Sequence, residues 1–89
     1  MIQPDDVSRW MLSELERHGC IYQDDVVDHL VRYKADVLLR ENSDGNLVVG
    51  REVLESFKRE TETTVVWVKP DRYWRFRVTE DEPGREARG

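Results

Sequence analysis

Apolar residues recur at helical spacing near the start of the chain, at Val7, Trp10, Met11 and Leu15, and Leu12 widens the stripe. Asp5 and Asp6 can cap such a helix and suit its positive end. Arg17 and His18 suit the other end, and Gly19 stops it. The pattern predicts a first helix over residues 5–18. Cys20-Ile21-Tyr22 is a short apolar link that reads as a brief strand. Asp24 then opens a second helix over residues 24–34, with Val26, Val27, Leu30, Val31 and Tyr33 on its apolar side. Asp28 and Arg32 form a solvated i, i+4 pair worth a few tenths of a kcal/mol.

Residues 35–41 read equally as a helical turn or as extended chain. Asn42-Ser43-Asp44-Gly45-Asn46 is a turn, and a small hairpin of Leu38–Glu41 against Asn46–Val49 fits the pattern. Gly50 breaks it. A third helix follows over residues 51–60, with Val53, Leu54 and Phe57 inward and Arg51, Glu55, Lys58 and Arg59 outward.

The clearest alternation lies between Thr64 and Val78. Lys69-Pro70-Asp71-Arg72 is a turn, because proline presets φ and the aspartate bonds its own backbone. This turn pairs Val68 with Tyr73, Trp67 with Trp74, Val66 with Arg75 and Val65 with Phe76. Side chains alternate along a strand. One face then carries Val65, Trp67, Trp74, Phe76 and Val78, apolar enough to sit on a core. The other carries Thr64, Val66, Val68, Tyr73, Arg75 and Arg77. A slip by one residue would bury Arg75 and Arg77, so the register is firmly held. The expected fold is a single α+β domain over residues 1–79, three helices plus a C-terminal two-stranded β-hairpin. Residues 80–89 hold no aliphatic side chain larger than alanine and read as a disordered charged tail.

Charge alters the picture. The net charge is −5, but it is unevenly spread: residues 1–50 carry −5, residues 51–78 carry +2, and residues 79–89 carry −2. An acidic chain is a poor general binder of nucleic acid, while a basic helix and hairpin keep that option open. The single cysteine, Cys20, excludes an internal disulfide and fits a reducing compartment. No apolar run reaches membrane-spanning length, and the first residues lack the basic and apolar regions of a signal peptide. These features point to a cytoplasmic protein without membrane association.

Helix, link, helix, turn, helix, hairpin is the element order of a winged helix, with the third helix as recognition element and the hairpin as wing. The segment 35–50 is longer than a minimal helix-turn-helix allows. The sequence also resembles a small uncharacterised bacterial family over about residues 7–78. The residues that carry it are Trp10-Met11-Leu12, Leu15-Glu16, Tyr22-Gln23-Asp24-Asp25, Glu41-Asn42, Gly45-Asn46-Leu47, Val53-Leu54, Phe57, Thr64-Val65-Val66-Trp67 and Arg72-Tyr73-Trp74-Arg75. That resemblance, which extends to products of mobile gene cassettes, implies a bacterial cytosolic origin and supplies no activity.

Two functional classes compete. The first is a small non-enzymatic module that binds a protein partner or a second copy of itself. Its surface is the outer hairpin face, where Val66, Val68 and Tyr73 would leave an apolar patch. The alternative is DNA binding by the third helix and wing. There Arg51, Lys58, Arg59, Lys69, Arg72, Arg75 and Arg77 would meet phosphates, set against an ordinary solvated surface balanced by Glu52, Glu55, Glu60 and Glu62. Trp10, Trp67, Trp74 and Phe76 could stack on bases, but aromatics dominate small cores, and the core reading prevails. His18, Cys20 and His29 with Asp24, Asp25 and Asp28 include metal-capable and catalytic residue types. They lack paired ligand spacing, a phosphate loop or a nucleophile turn. No enzyme activity, metal or small-molecule cofactor is expected.

Overall fold

The structure is a computed structural model that describes residues 2–81, 84, 86 and 87. Three α-helices, α1 (Pro4–His18), α2 (Gln23–Arg32) and α3 (Arg51–Thr61), pack with two small sheets. The larger sheet takes strands β1 (Cys20–Tyr22), β4 (Val65–Val68), β5 (Tyr73–Phe76) and β6 (Glu86–Ala87) in the order β1-β5-β4-β6. The smaller pairs β2 (Leu39–Glu41) with β3 (Leu47–Val49). The chain is thus α+β, with the helices where the periodicity places them.

Local chemistry sets the helix ends. Helix α1 is capped two to three residues before the expected aspartates: Gln3 is the N-cap, Pro4 takes the first helical position, and Asp6 accepts the Gln3 backbone N–H at 2.9 Å. Gly19 closes the helix with φ +82°, a left-handed conformation that glycine adopts without penalty. Helix α2 ends at Arg32, two residues before the expected end. Its chain reverses through Lys34 at φ +57°, and the Ala35 N–H returns to the Leu30 carbonyl at 2.7 Å. Its N-cap is Tyr22, not Asp24, and the Gln23 N–H donates to the Arg72 carbonyl at 2.9 Å. That bond ties the turn at 69–72 to the start of α2.

Helices α1 and α3 hold the core between them. Val7, Met11 and Leu15 of α1 and Val53 and Phe57 of α3 are buried with Ile21, Val26, Leu30, Val49, Val65 and Trp74. Two buried serines sit at the helix contact. Ser8 Oγ donates to Glu60 at 3.1 Å, and Ser56 Oγ donates to Asp5 at 2.5 Å. Small side chains let the helices approach, and each hydroxyl finds a carboxylate of the opposite helix. No buried side-chain polar atom among the described residues lacks a partner.

Strands β4 and β5 pair in the expected register: Val65 with Phe76, Val66 with Arg75, Trp67 with Trp74 and Val68 with Tyr73. They do not form a free two-stranded hairpin. Strand β1 adds to β5, with Cys20 opposite Arg75, Ile21 opposite Trp74 and Tyr22 opposite Tyr73. Strand β6 adds to β4 in parallel, with Trp67 opposite Glu86 and Val68 opposite Ala87. Trp74 therefore lies at the sheet centre, its ring 4.5 Å from that of Trp67 and edge-on to Phe57 at 5.7 Å.

Two expectations about the sheet faces change. Phe76 and Val78, expected on the core face, are 37% and 50% exposed; Phe76 is the last residue of β5 and Val78 lies past its end. Val66 and Val68 were assigned to an exposed apolar patch but are fully buried. The chain after β5 returns over their face. Arg75 grips Asp81 with both guanidinium nitrogens at 2.8 and 3.0 Å, Asp81 accepts the Val78 N–H at 2.8 Å, and Arg77 donates to the Gly84 carbonyl. Part of the segment expected to be a disordered tail thus has a place in the fold. Glu82, Pro83, Arg85, Arg88 and Gly89 lie outside the described residues.

Trp74→Ala is expected to cost about 3–5 kcal/mol, the usual range for removing a buried aromatic. Urea unfolding would read it, and a loss below about 1 kcal/mol would contradict the central role of this ring. The Arg75 hydrogen bonds, and then the Val78 N–H, hold the Asp81 carboxyl at about 2, well below its ordinary value. A depressed carboxyl stabilises the fold above its unfolded pKa, and that contribution is lost as pH falls through about 2. Asp81→Ala should therefore lower the melting temperature at neutral pH and raise dye binding to newly exposed Val66 and Val68. The difference from the parent should shrink in strong acid. Equal melting temperatures at pH about 7 would remove the clasp from the list of stabilising contacts.

Candidate functional site

Four of the seven basic residues expected to meet phosphates are engaged by other groups of the chain. Arg51, at the start of α3, donates to Glu55 one turn on at 2.8 Å. Arg59 lies 3.5 Å from Asp5 of α1. Arg75 is held by Asp81, and Arg77 reaches the Gly84 carbonyl. Lys58, Lys69 and Arg72 are exposed. Arg72 adopts φ +55° in the 69–72 turn, where its carbonyl receives the Gln23 N–H. Tyr73 is half-buried and packs on Tyr22 across the strands, ring centres 5.1 Å apart.

A different set of side chains does converge, between α1, β1 and α2. Trp10 of α1 stacks on His29 of α2 with ring centres 3.7 Å apart and planes 11° from parallel. His29 in turn meets Tyr33 at 4.7 Å. The row Trp10–His29–Tyr33 crosses from one helix to the other and ends on Tyr33, which is 59% exposed. Helical spacing explains half of it, since residues 29 and 33 share a face. The other half requires α1 and α2 to come close, and both pack against β1 between them. Trp10 packs at the edge of the core, as expected, but its ring is spent on His29 and not on Trp67, Trp74 or Phe76.

Beside this row lies a groove of about 450 Å³ lined by Trp10, Glu14 and His18 of α1, Cys20, Ile21 and Tyr22 of β1, and Asp25, Asp28, His29 and Arg32 of α2. Ile21 is buried and Trp10 and His29 are half-buried, so the groove has an apolar floor. Its rim is charged. Glu14 pairs with Arg17 at 3.2 Å and lies 4.0 Å from His18. Asp28 pairs with Arg32 at 2.8 Å, the i, i+4 pair expected from the sequence. Burial lowers the pKa of His29, reinforced by Arg32 and opposed by Glu14 and Asp28. Its imidazole is therefore neutral at pH about 7. No group of three or more His, Cys, Asp or Glu among the described residues is arranged to hold a metal ion.

A family profile described as a family of unknown function matches residues 3–76, which takes in both walls of the groove and the β4–β5 pair. The chain belongs to the family of unknown function DUF6953. Membership of an uncharacterised family is thereby shown. The DUF6953 segment ends at Phe76, before the Asp81 clasp and β6. No curated protein and no solved structure matches this chain. No helix among the described residues is long and apolar enough to cross a membrane.

Sequence reasoning placed Trp10 in the core and His29 at a partly exposed position, but did not join them. The available signal was weak: Trp10, His29 and Tyr33 each stand on helix faces whose apolar residues turn the same way. Val31 and Tyr33 were assigned to the buried side of α2, whereas they are 48% and 59% exposed because the buried stripe narrows to Val26 and Leu30.

The lowered His29 pKa has a consequence for stability. In the pH range between its folded value and the ordinary value of about 6.5, the unfolded chain takes up the proton and the folded chain does not. Stability is therefore complete above about 6.5 and falls as pH drops through that range. His29→Gln should flatten this part of the profile. Melting temperatures between pH about 7.5 and about 5 would show it, and an unchanged slope in the variant would mean that other groups carry the dependence.

Proposed function

We propose that this chain is a small non-enzymatic protein-binding module whose contact surface is the α1–β1–α2 groove with its aromatic row. The observation that carries the reading is the row Trp10–His29–Tyr33, an ordered aromatic surface that runs outward from the core edge to an exposed end. Aromatic side chains supply large contact area at low conformational cost and are enriched where proteins meet. Tyr22 adds a further aromatic on the groove, 46% exposed. This surface replaces the outer face of β4, whose Val66 and Val68 are covered. A bacterial, cytoplasmic setting, as the resemblance implies, belongs to the same reading.

A winged-helix DNA-binding reading has one feature in its favour. Strand β1, following α1, lies beside β5 in a sheet ordered β1-β5-β4, as the wing sheet of that fold would require. Three features weigh on the other side. The β2–β3 hairpin intervenes between α2 and α3, and it packs against α2. The outward face of α3 alternates Arg51, Glu52, Glu55, Lys58 and Arg59, so its field is mixed. The cations at Arg51, Arg59 and Arg75 already face carboxylates. Phosphate binding would have to break those pairs.

The test is to pan a random peptide display library against the chain and map the enriched peptides by amide NMR. Peptides that shift residues 10–33 and lose affinity about tenfold or more in a Tyr22→Ser, Tyr33→Ser double variant are the expected result. Failure to enrich any peptide, or shifts confined to α3 and the 69–72 turn, would overturn the reading. A random-sequence DNA duplex serves as the counter-probe. Salt-sensitive shifts along α3 would favour the winged-helix alternative.

A further inference from the structure

The groove has a polarity that narrows its ligand. Its carboxylates come from both walls, Glu14 from α1 and Asp25 and Asp28 from α2. Two of the three are already paired, Glu14 with Arg17 at 3.2 Å and Asp28 with Arg32 at 2.8 Å. Asp25, exposed in the first turn of α2, has no salt-bridge partner among the described residues. His18 sits at the far end beside Glu14, and His29 forms part of the floor. The whole chain carries −5, so the long-range field also draws cations.

Resting on the protein-binding reading above, we infer that the groove receives a lysine- or arginine-bearing segment of a partner protein. The reasoning is one of shape and charge together. A basic side chain has an apolar stem and a charged head, and it buries the first while keeping the second at a polar rim. Here the stem would lie along Ile21 and Trp10, and the head would reach Asp25 with Glu14 on the opposite wall. Tyr22 of β1, three residues before Asp25, lines the same groove and is an aromatic ring of the kind that attracts a cation. An acidic or purely apolar segment would leave Asp25 opposed or unanswered. Specificity of this kind comes from rejecting the wrong charge as much as from attracting the right one.

The experiment uses the full chain and two short synthetic peptides, one with a single arginine flanked by leucines and the other with citrulline in its place. Citrulline keeps the length and shape and removes the charge. Amide NMR titration is read at residues 10–33, with tryptophan fluorescence as a second readout. The expected result is binding of the arginine peptide at the groove, weakened about tenfold or more by citrulline and by Asp25→Lys. Salt should weaken the arginine peptide and leave the citrulline peptide nearly unchanged. Asp25 is exposed, and an unaltered spectrum outside the groove verifies that the variant folds. Equal binding of both peptides at the groove would overturn the charge inference and leave the protein-binding reading standing. Groove shifts by neither peptide would overturn the charge inference as well. If display had also yielded no groove-binding peptide, the protein-binding reading would fall with it. Arginine-peptide shifts outside residues 10–33 would place the cation-binding surface elsewhere and overturn the inference.

Discussion

The fold depends on one ring, that of Trp74. It occupies the middle of β5, the strand that β1 and β4 share, and its cross-strand neighbours are Ile21 and Trp67. Phe57 meets it edge-on from α3. One side chain thus joins a strand that follows α1, a strand that follows α3, and α3 itself. A two-stranded ribbon alone is marginal in water, and here it gains a third strand and a helical cover through the same position. The remaining core, Val7, Met11, Leu15, Val53 and Val65, packs outward from this contact as the α1–α3 pair closes over the sheet.

That arrangement decides which surfaces are free. With the inner face of β4 and β5 committed to the helices, their outer face carries Val66 and Val68. The return of the chain through Asp81 and β6 covers these valines. Arg75 serves this cover by binding Asp81, so a residue that reads as a phosphate contact acts as a structural clasp. The same logic applies to Arg51 and Arg59. A basic residue in an acidic chain usually finds a carboxylate nearby, and a count of cations along the sequence overstates the positive surface.

The surface left over lies where α1 and α2 meet at β1. The apolar stripes of these helices bury Met11, Leu15, Val26 and Leu30, but the stripes do not fully overlap at the outer edge. Trp10, His29 and Tyr33 fill that edge by stacking on one another instead of entering the core. Burial of His29 against Trp10 keeps its imidazole neutral at ordinary pH, which leaves the groove with a net negative rim.

Much of this protein was legible in its sequence. Helical spacing placed α1, α2 and α3 within two residues at each end, because apolar period and Gly19 act locally. The Lys69-Pro70-Asp71-Arg72 turn and the alternation around it set the β4–β5 register, because a slip would bury Arg75 and Arg77. Asn42–Asn46 marked the β2–β3 turn for the same local reason. The tertiary structure alone decided what each face meets. It brought β1 to β5 across some fifty residues of chain, returned Asp81 to Arg75, and set Trp10 on His29. Local pattern states that a side chain is apolar or charged. Only the packing of distant segments states whether a core, a carboxylate, another ring or water lies opposite, and that partner decides whether the residue is structure or surface.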